Sequence, residues 1–313
     1  MRGGRKSTGV LAGAALGTPF LLRKDGCMKK ENKYLLFALP SFILIFSIML
    51  FPVGYAVVYS FTNYRLGREA KFIGLDNYIN VLQDSEFASA LGFTLILTVA
   101  AVLLQFVLGM ILAMLLDNIH HFKKPISIMI YIPYFITAAA MGVIFRWMFM
   151  SNWGIMDQLL AAVGIHAPGW LDSAFWARVV VILGEVYQNT PFAVIILYAG
   201  LQSIPADQVE AAKIDGANSW QLFRSIKLPN LRQLIIIIFM MRTMDAFRLF
   251  DRVNVTTGGG PGISTETLAI YNYTTTFTKL RVGRGCAVGV ITLLILAVII
   301  SIIMKVLRSK EVD

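Results

Sequence analysis

EAAKIDGANSWQLFRSIKLP, residues 210–229, puts five formal charges into a chain that is 57% hydrophobic by composition. Pro205 stands where a first helical turn begins, and Ala206, Val209 and Ala212 then fall on one side at spacings of three. Gly216 ends that helix, and Asn218 or Ser219 can cap a second whose apolar face is Leu222, Phe223 and Ile226, up to a stop at Pro229. The stretch therefore predicts two short helices at an angle. Ala211 and Ala212 are small enough for another surface to come close to the first helix. The pattern also suits an ordinary amphipathic loop between two membrane spans.

The surroundings favour a membrane setting. Only 15% of the 313 residues are charged and the mean hydropathy is +0.69, away from the balance of a water-soluble globule. A spanning helix needs about 20 mostly apolar residues, because hydrocarbon offers no partner to backbone groups. Residues 34–60, 91–116, 126–149, 179–201 and 288–307 meet that need. A sixth window, 231–250, begins apolar but then meets Arg242, Asp245 and Arg248, which places it inside a bundle. The fold class is thus all-α and polytopic, with six spans and the charged loop between the fourth and fifth.

With both termini in the cytoplasm, and Arg178 at a span edge left aside, the inner segments and inner span ends carry seventeen Lys and Arg and the outer segments seven, the bias expected for that orientation. The net charge of +10 needs no nucleic acid to explain it. The first 27 residues resemble a signal peptide in outline. However, Pro19, Arg23 and Lys24 interrupt the apolar run and MKKENKYLLFALP restarts at Met28, so an extension outside the functional protein is expected. Cys27 and Cys286 suggest no disulfide, and His120, His121 and His166 lack partners at metal-ligand spacing. Residues 71–90 read as a short outer amphipathic helix, and a second is expected near residues 155–163. The run TTGGGPGISTET, residues 256–267, forces a turn but carries no P-loop Lys-Ser or Lys-Thr, so any ATP must be bound by another subunit.

Glu210, Ala211, Ala212, Gly216, Ile226, Leu228 and Pro229 together resemble the EAA loop of ABC importer permeases. GLDNY at 74–78, IPYF at 132–135, Pro191 and TGGGP at 257–261 resemble the carbohydrate, maltose-transporter branch. The resemblance covers about residues 34–307. It implies a prokaryotic inner-membrane permease with a cytoplasmic segment at 1–33, a permease domain at 34–307, a coupling loop at 202–230 and a tail at 308–313. Its implied partners are a second homologous permease, two ATPase subunits that bind ATP and Mg, and an external solute-binding protein. No cofactor is expected on this chain, which would be a non-catalytic transport subunit.

Within the fourth window Glu185, Gln188 and Asn189 share a helical face beside Pro191, with Tyr187 and Phe192 as aromatic surfaces for a hydroxyl-rich solute. The resemblance carries a solute pathway onto Tyr134, Glu185, Gln188, Asn189, Phe192, Arg242, Asp245 and Leu249. Glu185, Arg242 and Asp245 depart from the neutral groups typical there. Asp245 can also pair with Arg242 or Arg248, three residues away on either side. An ion-coupled secondary transporter is the alternative, motivated by Glu185 and Asp245.

Overall fold

The computed structural model describes residues 27–308 apart from residue 120, with side chains from 39 to 306. The expectations for residues 1–26, His120 and residues 309–313 lie outside the described residues. Among those described, every regular element is helical, with one isolated antiparallel bridge between Thr62 and Phe72.

The chain divides into two units, Met1–Val53 and Gly54–Asp313. Helix α1, Cys27–Ser60, crosses that division, and within its apolar stretch Leu39–Ser60 only the terminal Ser60 is buried. In the second unit α2, Asp76–Leu82, fixes the end of α1: Asn77 Nδ2 donates to the carbonyls of Ser60 at 2.8 Å and Thr62 at 2.7 Å. The outer helix expected over residues 71–90 is shorter than the sequence suggests. Asp84 accepts from the Glu86 amide and caps α3, Ser85–Asn118, so residues 85–90 belong to the long helix.

Helix α3 packs along α7, Ala174–Gln202. The contact needs a glycine: a Cβ at Gly109 would lie 2.7 Å from that of Ala193. The third window is not one straight helix. It breaks into α4, Lys123–Phe135, and α5, Ala138–Met148, bent by 99°. Pro133 removes a backbone donor from the last turn of α4, and the Thr137 side chain accepts from the Ala140 amide to start α5. Helix α6, Ile155–Ala162, lies where an outer helix is expected.

The charged loop forms α8, Ala206–Ile214, then α9, Ser219–Leu222, a π-helical stretch Phe223–Lys227 and α10, Leu228–Asn230. Gly216 takes φ +82°, where a side chain is strained, and Asn218 makes a reciprocal capping box with Gln221. Pro229 does not stop the second helix. It lies in the first turn of α10, where its missing N–H costs little, and the helical path runs on into α11, Arg232–Phe247. At 16 residues α11 is short of a full crossing. By length and composition the described residues hold four spanning helices, or five if the bent pair counts as one. After α11 come α12, Asp251–Thr256, α13, Leu268–Tyr273, and the long apolar α14, Val282–Arg308.

Candidate functional site

The charged loop presents almost nothing to its own chain. No residue of α8 or α9 is buried, Ile214 is 85% exposed, and Glu210, Ala211 and Gly216 lie open. Between the two helices is a hollow of about 320 Å³ lined in part by Ala212, Gly216, Leu222 and Ile226. The other end of the module is anchored. Phe223 and Leu228 pack against an apolar cluster of Leu116, Leu197, Leu201, Leu231 and Ile238, which unites α3, α7 and α11. One face is held by α3, α7 and α11 and the other is exposed.

Inside the bundle a chain of charges runs from α12 to α11 through α7. Arg252, buried, donates through Nη1 to Glu185 Oε2 at 2.5 Å and through Nη2 to Gln188 Oε1. Asn189 Nδ2 donates to Glu185 Oε1 at 2.8 Å, and Gln105 Nε2 reaches the Glu185 carbonyl at 3.0 Å and Oε1 at 3.3 Å. Arg242 donates to Asn189 Oδ1 at 2.8 Å and to Asp245 Oδ2, while Arg248 holds Asp245 Oδ1 at 2.9 Å. The Arg242 guanidinium also lies 4.9 Å from the Phe192 ring centre, and the Tyr134 ring is 6.1 Å from that of Phe192.

Most of the expected pathway residues therefore meet: Glu185, Gln188, Asn189, Phe192, Arg242 and Asp245 share one network with Tyr134 at its edge. Glu185 and Gln188 are buried and taken up by Arg252, whereas Tyr134 is 38% exposed and the Asp245 side chain 40%. Leu249 stands apart, packed with Phe93, Leu97, Val181, Val253 and Ile270 in an apolar cluster. Both partners proposed for Asp245 are realised at once.

Arg252 and Gln105 were not expected here. The sequence placed Arg252 among outer-segment cations, but α12 turns back into the bundle and packs on α5, where a Cβ at Gly142 would lie 2.9 Å from the Arg252 carbonyl. The available signal was Arg252 followed by the β-branched Val253, Val255, Thr256 and Thr257, interrupted only by Asn254. Gln105 was signalled by being the one amide inside an otherwise apolar stretch, LLQFVL. Gln188 has a second task. Its Nε2 donates at 2.5 Å to the Ile136 carbonyl, freed where the third window breaks.

A separate polar cluster joins α3 to α13 and α14. Tyr271 Oη donates to Asp84 Oδ2 at 2.7 Å, and Arg284 donates to both Asp84 and Tyr271. Burial pushes the Asp84 carboxyl up, but the Tyr271 hydroxyl, the Glu86 amide and the Arg284 charge outweigh it and hold it below the ordinary value. Burial, then the Asp84 hydrogen bond, pushes the Tyr271 phenol up to about 12. The glycine-rich turn lies nearby in sequence. Gly258 and Gly259 take φ +61° and +92°, and Thr265 Oγ1 closes the turn by donating to the Gly260 carbonyl at 2.7 Å.

Long apolar helices, a buried polar chain and an exposed two-helix module seated on α3, α7 and α11 suit a multi-pass membrane protein. Residues 105–311 match the family described as binding-protein-dependent transport system inner membrane component, and the chain belongs to that family. Among relatives, the trehalose transport system permease protein of Mycobacterium tuberculosis is 31% identical over 92% of each chain. The sulfoquinovosyl glycerol transport system permease protein of Agrobacterium fabrum is 31% identical over 87% of this chain and 89% of its own. A bacterial alginate ABC transporter, crystallised with a periplasmic protein bound to alginate pentasaccharide, shares the fold. Its matched chain has a TM-score of 0.79 at 21% identity, over 90% of this chain and 97% of that one.

Proposed function

We propose that this permease forms one half of an alternating-access pathway for a sugar, oligosaccharide or related polyol, driven by ATP hydrolysed in partner subunits. The observation that carries the reading is the module around Glu210 to Pro229, exposed on α8 and α9 yet seated on the apolar cluster of α3, α7 and α11. Such a surface suits a second protein, and its mounting suits the transfer of that protein's motion. Glu210, Ala211, Ala212, Gly216, Ile226 and Pro229 would form the coupling surface, with Leu228 seating it on the spans. The relatives' names for trehalose and sulfoquinovosyl glycerol support a carbohydrate cargo.

In this reading the bent pair α4 and α5 counts as one span and α11 as another, giving six, with both termini cytoplasmic. Removing Arg252 from the outer cations sharpens the charge bias that supports this orientation. A second permease, two ATPase subunits binding ATP and Mg, and an external solute-binding protein complete the assembly. Tyr134, Asn189, Phe192 and Asp245 offer the solute a partly exposed aromatic and polar edge, backed by Glu185, Gln188 and Arg242. The secondary-transporter alternative loses its motive, since Glu185 and Asp245 are both ion-paired.

The test is uptake by the complex reconstituted with its partners. ATP-dependent accumulation, lost when Gly216 or Glu210 is replaced and ATPase co-purification falls, supports the proposal. Uptake by this chain alone under an ion gradient would defeat it.

A further inference from the structure

We infer that Asp117 is the positioning residue through which the docking module grips the spans. Asp117 lies in the last turn of α3, where a carboxylate opposes the helix dipole, so its place calls for partners from elsewhere. It has two, one for each oxygen. Lys227 Nζ is 2.8 Å from Oδ2, and Gln202 Nε2 donates to Oδ1 at 2.7 Å.

Lys227 closes the π-helical stretch of the module, and Gln202 is the last residue of α7. One carboxylate thus ties the module to the ends of α3 and α7, the two helices with the most extensive mutual packing. The Lys227 and Asp117 side chains are 13% and 19% exposed, so the pair is shielded better than an ordinary surface bridge. Leu116 and Leu201, the residues preceding Asp117 and Gln202, belong to the apolar cluster that receives Phe223 and Leu228. The polar grip and the apolar seat are therefore adjacent parts of one joint.

The geometry gives this joint a direction. A displacement of the module moves Lys227, and through Asp117 the load passes to α3 and to α7, the helix that carries Glu185, Gln188 and Asn189. The apolar seat resists separation but allows sliding. The carboxylate, held at both oxygens, fixes the register. Asp117 therefore governs how much solute is moved per ATP, while leaving the exposed face that meets the partner unchanged.

This inference rests on the ATP-coupled reading above. The experiment uses the complete complex in liposomes, measuring solute uptake and ATP hydrolysis together in wild type, D117A, D117N, K227A and the charge exchange D117K/K227D. The expected result is a fall in solute moved per ATP of about fivefold or more in D117A and K227A, the lower end of ordinary coupling between sites. ATPase co-purification should be unchanged, D117N should be intermediate, and the charge exchange should recover much of the loss.

A wild-type complex without ATP-dependent uptake would sink the coupled reading itself. If wild type couples and D117A moves as much solute per ATP, the positioning role alone falls. It also falls if D117A, D117N and the charge exchange all lose the ATPase on purification, because that pattern reports folding of the module.

Discussion

Removing the Glu185 carboxylate, as in Glu185→Ala, should be far more harmful than removing its partner. Arg252 is buried, and its guanidinium is left with Gln188 alone once Glu185 is gone. Arginine cannot shed its charge, so the full penalty of an uncompensated buried cation applies, about 3–5 kcal/mol. In R252M the carboxylate keeps Asn189 at 2.8 Å and Gln105 at 3.3 Å. Methionine moreover fills the stem volume beside Gly184, so R252M should cost clearly less. The double replacement E185L/R252M removes both charges and should recover most of the loss. The assay is thermal unfolding of the purified complex. At roughly 2–4 °C per kcal/mol for a large chain, E185A should lower the midpoint by about 6–20 °C. A midpoint for E185A equal to or above that of R252M would refute the argument. Unchanged stability in E185Q with uptake abolished would instead make Glu185 a solute contact.

Three further outcomes are expected. Gly216→Ala places a side chain at φ +82° and should destabilise the turn by about 1–2 kcal/mol, read as weaker retention of the ATPase on an affinity column. Gly109→Leu should separate α3 from α7, at a cost of about 1–3 kcal/mol or more, and lower the yield of folded complex in size-exclusion chromatography. The Asp84 cluster should show a defined pH window. The depressed Asp84 carboxyl contributes stability that is present above its unfolded value of 3.8 and lost as pH falls through its lower folded value. Tyr271, raised from 10.0 to about 12, contributes stability that is complete below 10.0 and lost as pH rises through about 12. Thermal midpoints scanned over pH should lose their acid limb in D84N and their alkaline limb in Y271F.

The two-helix loop was legible from sequence because its signals are local. Gly216 reports a positive φ, Asn218 a cap, and neither depends on the rest of the chain. Pro229 misled because a proline that ends one helix and a proline that opens the next look alike in sequence, and only the continuing path into α11 separates them. The grouping of Glu185, Gln188 and Asn189 followed from helical spacing. Their occupation by Arg252 did not, since it depends on α12 turning back toward α5 through the close approach at Gly142, 110 residues earlier in the chain. The break in the third window had a visible cause in Pro133. What makes it tolerable is a side chain from another helix, which no local pattern announces.

That side chain gives the bundle an unusual dependence. Gln188 is acceptor to Arg252 with one end of its amide and donor to the Ile136 carbonyl with the other, so a backbone irregularity and a buried cation share one neutral partner. Loss of the amide takes away the Ile136 carbonyl's donor and the acceptor of one arm of Arg252 at once, leaving the cation to Glu185 alone. Across related chains, position 188 should therefore change only together with position 252 and with the proline that breaks the third window. A lineage that straightens that window would relieve Gln188 of the backbone carbonyl and leave it only the buried cation.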